Sequence, residues 1–331
     1  MPSRYPLLTK LALLSVIPFT LLLSLSAIIQ DRWQRSWYKQ PSFDSEPWDF
    51  EKKSVMQALS LLSNPGERMA IWGWMAEYWV LSGLIMGTRE ASTEFAIRSW
   101  PLQGYYRKRF LDTLMAEKPL LLLEAIGPGN FAFQERSQQG IASFSELKKY
   151  VIENYHTIFD VSEAALYMRK DEFSKRDYVI PKESWVSTGD WMFGTAATPE
   201  LVQSILGRYS YVLGSYLGSD THTGIAIATL EIQNIEGVIV PLLIGPDIKN
   251  LSVRLVATDL SKDQENSMEW VVDSCDLTEL EPHVWQLCVL KASLDSAKVT
   301  AATVEKLELR DQGSGWGQWL AIGVPTVVRK R

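Results

Sequence analysis

Residues Leu11 to Ile29 read LALLSVIPFTLLLSLSAII, without one charged side chain. At about 1.5 Å rise per residue, a helix of that length just crosses a hydrocarbon core of about 30 Å. Arg4 and Lys10 precede the run, and Asp31, Arg32, Trp33, Arg35, Trp37, Tyr38 and Lys39 follow it. We read residues 1–39 as a single membrane anchor with its flanks, the Trp and Tyr residues fitting an interfacial belt. Pro18 is tolerable in such a span. The alternative is a cleaved signal peptide, with Ser24 and Ser26 as the small residues before the cleavage site, although the apolar run exceeds a usual signal core. Basic residues flank both ends, so the charge count leaves orientation open; long polar domains cross largely regardless of charge. Either reading sends the remainder out of the cytoplasm. The expected location is the cell membrane, single-pass, with the soluble regions extracytoplasmic.

About 300 residues remain, enough for two domains with real cores. A net charge of -6, with no lysine- or arginine-rich block, argues against nucleic acid as a partner. Hydrophobic residues at 46% and charged ones at 22% describe a globular chain. The 13 tryptophans suit either an aromatic core or sugar-stacking surfaces, and a core accounts for most of them more simply. With only Cys275 and Cys288 and no CxxC, a zinc cluster is excluded by count. If residues 269–274 and 284–290 form a hairpin turning near Glu281-Pro282, the two cysteines face each other across it. A disulfide there is compatible with an exported chain, and two buried thiols are the alternative.

Residues 40–49 carry two prolines and no apolar period, a linker. Val55, Met56, Leu59 and Leu62 then recur at helical spacing until Asn64-Pro65-Gly66 breaks the pattern. Residues 68–74 predict a short buried strand, and AEYWVLSG a helix ending at Gly83. Residues 105–116 are amphipathic, Pro119 introduces the apolar run LLLLEAI, residues 144–155 predict another helix, and residues 164–169 a last strand. An almost continuous apolar strand requires burial on both faces, as in a parallel sheet. The prediction for residues 40–172 is a small three-layer α/β domain.

The order ERMAIWGWMAEYWVLSG, helix, PLLLLEAI, helix, ALYMR resembles the soluble tail that follows the last membrane helix of polytopic polyprenyl-phosphate-sugar glycosyltransferases. The likeness covers about 120 residues and rests chiefly on Trp72-Gly73-Trp74. Those enzymes keep their catalytic carboxylates in a many-helix membrane region, whereas this sequence predicts one span. The resemblance implies a sugar-transfer context without catalysis by this chain alone. Trp72, Trp74, Glu77 and Tyr78 form a candidate site at the strand's carboxyl end, where open α/β sheets bind ligands. Packing of the two tryptophans between sheet and helices explains them more plainly. Gly127-Pro128-Gly129-Asn130 lacks phosphate-loop spacing and reads as a turn.

The charged, proline-ended stretch 171–182 marks a boundary, and beyond it the period changes. Short β-rich runs at 225–232, 238–244, 251–258, 268–272, 285–290, 304–310 and 319–324 are separated by turn residues, and Leu307 and Leu309 alternate with Glu308 and Arg310. This predicts a β-sandwich over 173–331, with one helix at Pro199–Gly207. GSDTHTGIAIATLEI, VRLVA and LRDQGSGWGQWLAIG together resemble galactose-binding-type jelly-roll modules. Gln318, Ala321 and Ile322 stand where that family usually carries His and Asp. The resemblance implies carbohydrate binding, with Trp316, Trp319, Asp220, His222 and Asp311 as candidates. Turn capping by the two aspartates and core filling by Trp316 are the competing roles.

His156, His222 and His283 are scattered, no HExxH or GxSxG occurs, and Glu90 and Glu94 read as a solvated helix face. Nothing designates a catalytic residue, a metal site or a cofactor. The sequence therefore predicts a fold of α/β plus all-β class: one N-terminal transmembrane helix, a three-layer α/β domain and a jelly-roll-like sandwich. The expected function is non-catalytic recognition or positioning of a glycan or lipid-linked sugar, with a membrane glycosyltransferase as a partner. A split glycosyltransferase active only with a separate multi-helix subunit, and a protein-binding assembly module, are the alternatives.

Overall fold

A computed structural model of the chain describes residues 50–130, 132–194, 210–218, 223–230, 235–259, 269–292 and 302–330. Leu11–Ile29, Asp220, His222 and the helix expected at Pro199–Gly207 lie outside the described residues. Among the described residues no helix is long and apolar enough to cross a membrane.

Helix α1 (Phe50–Leu62) ends before Asn64-Pro65-Gly66, where Gly66 takes φ +90°. Strand β1 (Arg68–Gly73) follows, then α2 (Glu77–Ser82), β2 (Ile85–Met86), α3 (Glu94–Ile97), α4 (Gln103–Glu117) and β3 (Leu121–Ala125). Next come α5 (Arg136–Gln139), α6 (Ser145–Asn154), β4 (Tyr155–Asp160) and β5 (Ala165–Arg169). These strands form one sheet in the order β2-β1-β3-β5-β4. It is parallel between β2, β1 and β3 but antiparallel between β3, β5 and β4. The parallel arrangement suggested by the LLLLEAI run thus holds for half of the sheet. Two-sided burial constrains the side chains of β3 and leaves the direction of its neighbour undetermined.

The alternation within each strand sorts residues onto two faces. Ala70, Trp72 and Leu122 pack with Phe110 and Leu114 of α4 and Leu147 and Val151 of α6. Met69, Ile71, Leu121 and Leu123 point the other way and join a cluster that contains Val55, Leu59 and Leu62 of α1. Helices therefore cover one face of the sheet, and α1 lies on the other.

After α7 (Lys170–Arg176) the chain is nearly all strand: β6 (Asp177–Val179), β7 (Trp185–Gly189), β8 (Met192–Phe193), β9 (Leu213–Gly214), β10 (Gly224–Thr229), β11 (Ile235–Ile244), β12 (Leu251–Asp259), β13 (Glu269–Ser274), β14 (Gln286–Lys291), β15 (Ala302–Asp311), β16 (Leu320–Ile322) and β17 (Thr326–Arg329). One sheet runs β13-β12-β15-β10-β7 and the other β6-β17-β11-β16-β9-β8, with β14 on the second flank of β11. The chain crosses repeatedly between the two, which makes this region a β-sandwich. Its inward positions, including Ala226, Val253, Leu255, Leu307 and Leu309 from one sheet and Val238, Val240, Leu242 and Leu290 from the other, are buried. The apolar cluster that fills the sandwich is continuous with the α1 face of the mixed sheet, and α1 packs on β11 and β14. Residues 49–331 form one compact unit. Pro241, in the middle of β11, sits where the neighbouring strand changes from β16 to β17, a place where a missing N–H breaks no ladder bond.

The hairpin expected around Glu281-Pro282 is not formed: β13 pairs with β12 and β14 pairs with β11, in different sheets. Cys275, just after β13, and Cys288, within β14, are joined as a disulfide with Cα atoms 5.9 Å apart. The bond links the two sheets instead of two strands of one hairpin. By loop entropy, closing a loop of that size contributes about 3 kcal/mol.

Candidate ligand-binding sites

Strand β15 ends at Asp311, which is fully buried and accepts a hydrogen bond from the Gly313 amide at 3.1 Å. The loop that follows is fastened by Gln318. Its Oε1 accepts from the Gly315 amide at 2.7 Å, and its Nε2 donates to Asp247 Oδ2 at 3.0 Å. The Asp247 amide in turn donates to the Gly317 carbonyl at 3.1 Å. Gly317 takes φ +79°, and a Cβ there would meet Pro246 at 2.6 Å, so the turn admits no side chain. The fastened loop holds Trp316 82% exposed, the most exposed large apolar side chain among the described residues. Trp319 instead is buried, with its ring 5.7 Å from Tyr216 and 5.6 Å from His283. Of the five sandwich residues expected to touch a sugar, Trp316 is exposed, Trp319 and Asp311 are buried, and Asp220 and His222 lie outside the described residues. Gln318, noted in the sequence only as a departure from the jelly-roll pattern, is the side chain that fastens this loop.

The four residues named in the α/β region also divide. Trp72 is fully buried: its Nε1 donates to the Gln139 carbonyl at 2.8 Å, and its ring stands edge-on to Phe110 at 5.2 Å. Tyr78 is buried as well. Trp74 and Glu77 are half-buried and line a crevice of about 530 Å³, opposite Asn130 and Gln134 of the loop after β3. The crevice opens at the carboxyl ends of the adjacent parallel strands β1 and β3, the usual ligand position in open α/β sheets.

Behind that loop lies a buried charge network that no sequence spacing announced. Arg136 donates through one NH group to Asp160 Oδ1 and to the Val161 carbonyl, each at 2.8 Å. Through the other it reaches Glu124 Oε2 at 3.4 Å. Glu124 also accepts from the Tyr167 hydroxyl at 3.0 Å and from the Ile141 amide at 2.7 Å. Burial works against the guanidinium charge, but Glu124 and Asp160 outweigh it and hold Arg136 protonated.

On the outer face of the sandwich, Glu308 accepts from Arg254 Nε at 2.9 Å and Arg310 Nε at 2.8 Å. Burial alone would raise its carboxyl, and the bonds from the two arginines prevail, holding it below the ordinary carboxylate range. Here the alternation of β15 was a usable signal, since it sets Glu308 and Arg310 opposite to Leu307 and Leu309. Among the described residues no three His, Cys, Asp or Glu side chains are grouped to hold a metal.

No protein-family model matches the sequence, and no curated protein does. Among solved structures the chain is similar to the CBM22-1–GH10 modules of Clostridium thermocellum xylanase 10B complexed with xylohexaose, at 11% identity and a TM-score of 0.31 over 46% of this chain and 29% of that one. It is similar to TmCBM61 in complex with β-1,4-galactotriose, at 13% identity and a TM-score of 0.28 over 46% of this chain and 99% of that one. The C-terminal extracellular domain of Mycobacterium tuberculosis EmbC matches at 18% identity and a TM-score of 0.24, over 38% of this chain and 44% of that one. Likenesses this distant assign neither a family nor a ligand, and the sandwich stands on its own strand pairing.

Proposed function

We propose that this chain is a non-catalytic glycan-recognising protein whose sandwich offers Trp316 to the apolar face of a sugar ring. The observation that carries the reading is the presented indole itself. Other large apolar side chains of the sandwich are mostly turned inward, whereas this one is held in solvent by a loop pinned through Gln318 and Asp247. A rigid aromatic face with fixed polar neighbours is the chemistry by which proteins hold saccharides. We extend the proposal to location: Leu11–Ile29 tethers the unit to a membrane with residues 49–331 on the extracytoplasmic side, where a disulfide such as Cys275–Cys288 persists. In that setting the chain would position an envelope glycan or lipid-linked sugar for a separate membrane glycosyltransferase.

The test is an oligosaccharide array probed with the full chain in detergent. Trp316→Ala is expected to lower binding of the recognised glycan roughly tenfold or more, the effect of losing one stacking contact. Its unfolding midpoint should not move. A folded wild type that binds no saccharide, or a Trp316→Ala variant that binds as well as wild type, would overturn the proposal.

A further inference from the structure

The crevice at the carboxyl ends of β1 and β3 is independent of the sandwich. We propose that it is a second binding site, and that its ligand is an uncharged saccharide. Its volume of about 530 Å³ falls within the range of about 300–1,000 Å³ usual for small-molecule sites.

The walls are built to stay open. Strand β1 leaves the sheet at Gly73 (φ +140°), where a Cβ would lie 2.4 Å from the Ala125 carbonyl oxygen. Strand β3 leaves it at Gly127 (φ +152°), where a Cβ would lie 2.2 Å from the Ser162 carbonyl oxygen. The two turns diverge from this packed edge, and the space between them is the crevice. The far wall is held twice: Asn130 Nδ2 donates to the Glu163 carbonyl at 2.5 Å, and Arg136, two residues beyond Gln134, is anchored on Glu124 and Asp160. At its rim Ala132 takes φ +66°, a left-handed conformation costly for a residue with a Cβ. Such strain persists only where the surroundings fix it, and it concentrates at ligand sites.

The chemistry of the lining selects the ligand class. Trp74 supplies an aromatic surface, Gln134 an exposed amide and Glu77 a carboxylate, a set that matches the alternation of C–H faces and hydroxyl groups on a sugar ring. Phosphate is disfavoured. Among the described lining residues Glu77 is the only charged one, and α2 is a single short helix that already begins with this carboxylate. The site therefore suits a neutral oligosaccharide, not a nucleotide sugar or a prenyl phosphate head.

The experiment uses the full chain carrying Trp316→Ala, so that the sandwich does not contribute. An array of neutral oligosaccharides is compared with glucose 1-phosphate by calorimetry and array binding. Retained binding of a neutral oligosaccharide is expected, lowered roughly tenfold or more by adding Trp74→Ala or Gln134→Ala. Gln134 is exposed, so its replacement keeps the fold and the test stays readable if Trp74→Ala does not fold. The inference is overturned if the Trp316→Ala chain binds no neutral saccharide, if neither added substitution weakens binding, or if glucose 1-phosphate is preferred. Loss confined to Trp316→Ala removes the crevice and leaves the sandwich reading standing; loss confined to Trp74→Ala and Gln134→Ala does the reverse.

Discussion

In the mixed sheet Trp72 and Trp74 stand two residues apart, and in the sandwich Trp316 and Trp319 stand three apart. In each pair one indole is buried and the other is less so, Trp74 being half-buried and Trp316 in solvent. The buried members serve packing: Trp72 fills the space between β1 and α4, and Trp319 packs against Tyr216 and His283. The presented members lie just beyond a strand end or within a loop, where the backbone has turned away from the core. The two regions hold those turns differently. In the α/β region a buried ion network anchors the loop behind Trp74, whereas the Trp316 loop is fastened by one amide side chain, with a disulfide elsewhere tying the sheets together. Aromatic content near a strand end therefore does not say which ring is buried and which is presented.

The largest effect that could break this contrast comes from Arg136. Replacing it with Ala leaves Glu124 and Asp160 buried without their shared cation, and should destabilise the protein by about 5 kcal/mol in denaturant unfolding. Gln318→Ala, the matching change in the sandwich loop, should cost about 1 kcal/mol, the value of a hydrogen-bonded amide. Equal losses would mean that the two loops are held alike.

The tryptophan pairs supply the next test. Trp72→Ala should cost about 3–4 kcal/mol through lost packing and the cavity left behind. Trp316→Ala should change stability by less than about 0.5 kcal/mol. Chemical denaturation of both variants checks this, and a destabilised Trp316→Ala would assign that indole to the core.

The smallest effect separates the regions by pH. His156 on β4 stacks on Phe173 with ring centroids 4.0 Å apart, and burial, aided by Lys170, holds its imidazole below the ordinary 6.5. The unfolded chain then takes up that proton first as pH falls. Stability drops from about pH 6.5 downward until the folded imidazole also charges. Glu308 in the sandwich, held below its ordinary 4.5, keeps its stabilising charge above that pH and loses it only as pH falls through its lowered folded value. Calorimetry between pH 7.5 and 3 (~0.5 steps) should show two acid limbs, the first removed by His156→Gln and the second made shallower, not abolished, by Glu308→Gln, since Glu146, Asp171, Glu172 and Asp276 are held low as well. A single limb insensitive to His156→Gln would show that the imidazole is solvated.

The sequence alone carried the elements themselves. The 3.6-residue period of α1, the apolar run of β3, the breaker at Asn64-Pro65-Gly66 and the two-residue alternation of β15 are local properties, imposed on each segment by whatever it must bury. The same patterns indicated sheet-on-helix packing early in the described chain and strand-on-strand packing later.

Tertiary structure decided the rest. Nothing local to Cys275 and Cys288 says that their strands belong to different sheets, because the partners of β13 and β14 are set by register with β12 and β11. The antiparallel half of the mixed sheet, the meeting of Arg136 with Glu124 and Asp160, and the fate of each tryptophan likewise depend on which distant segments pack together. Periodicity reports how buried a side chain is and on which face. It does not say which residues it meets, and a ligand site is made of those meetings.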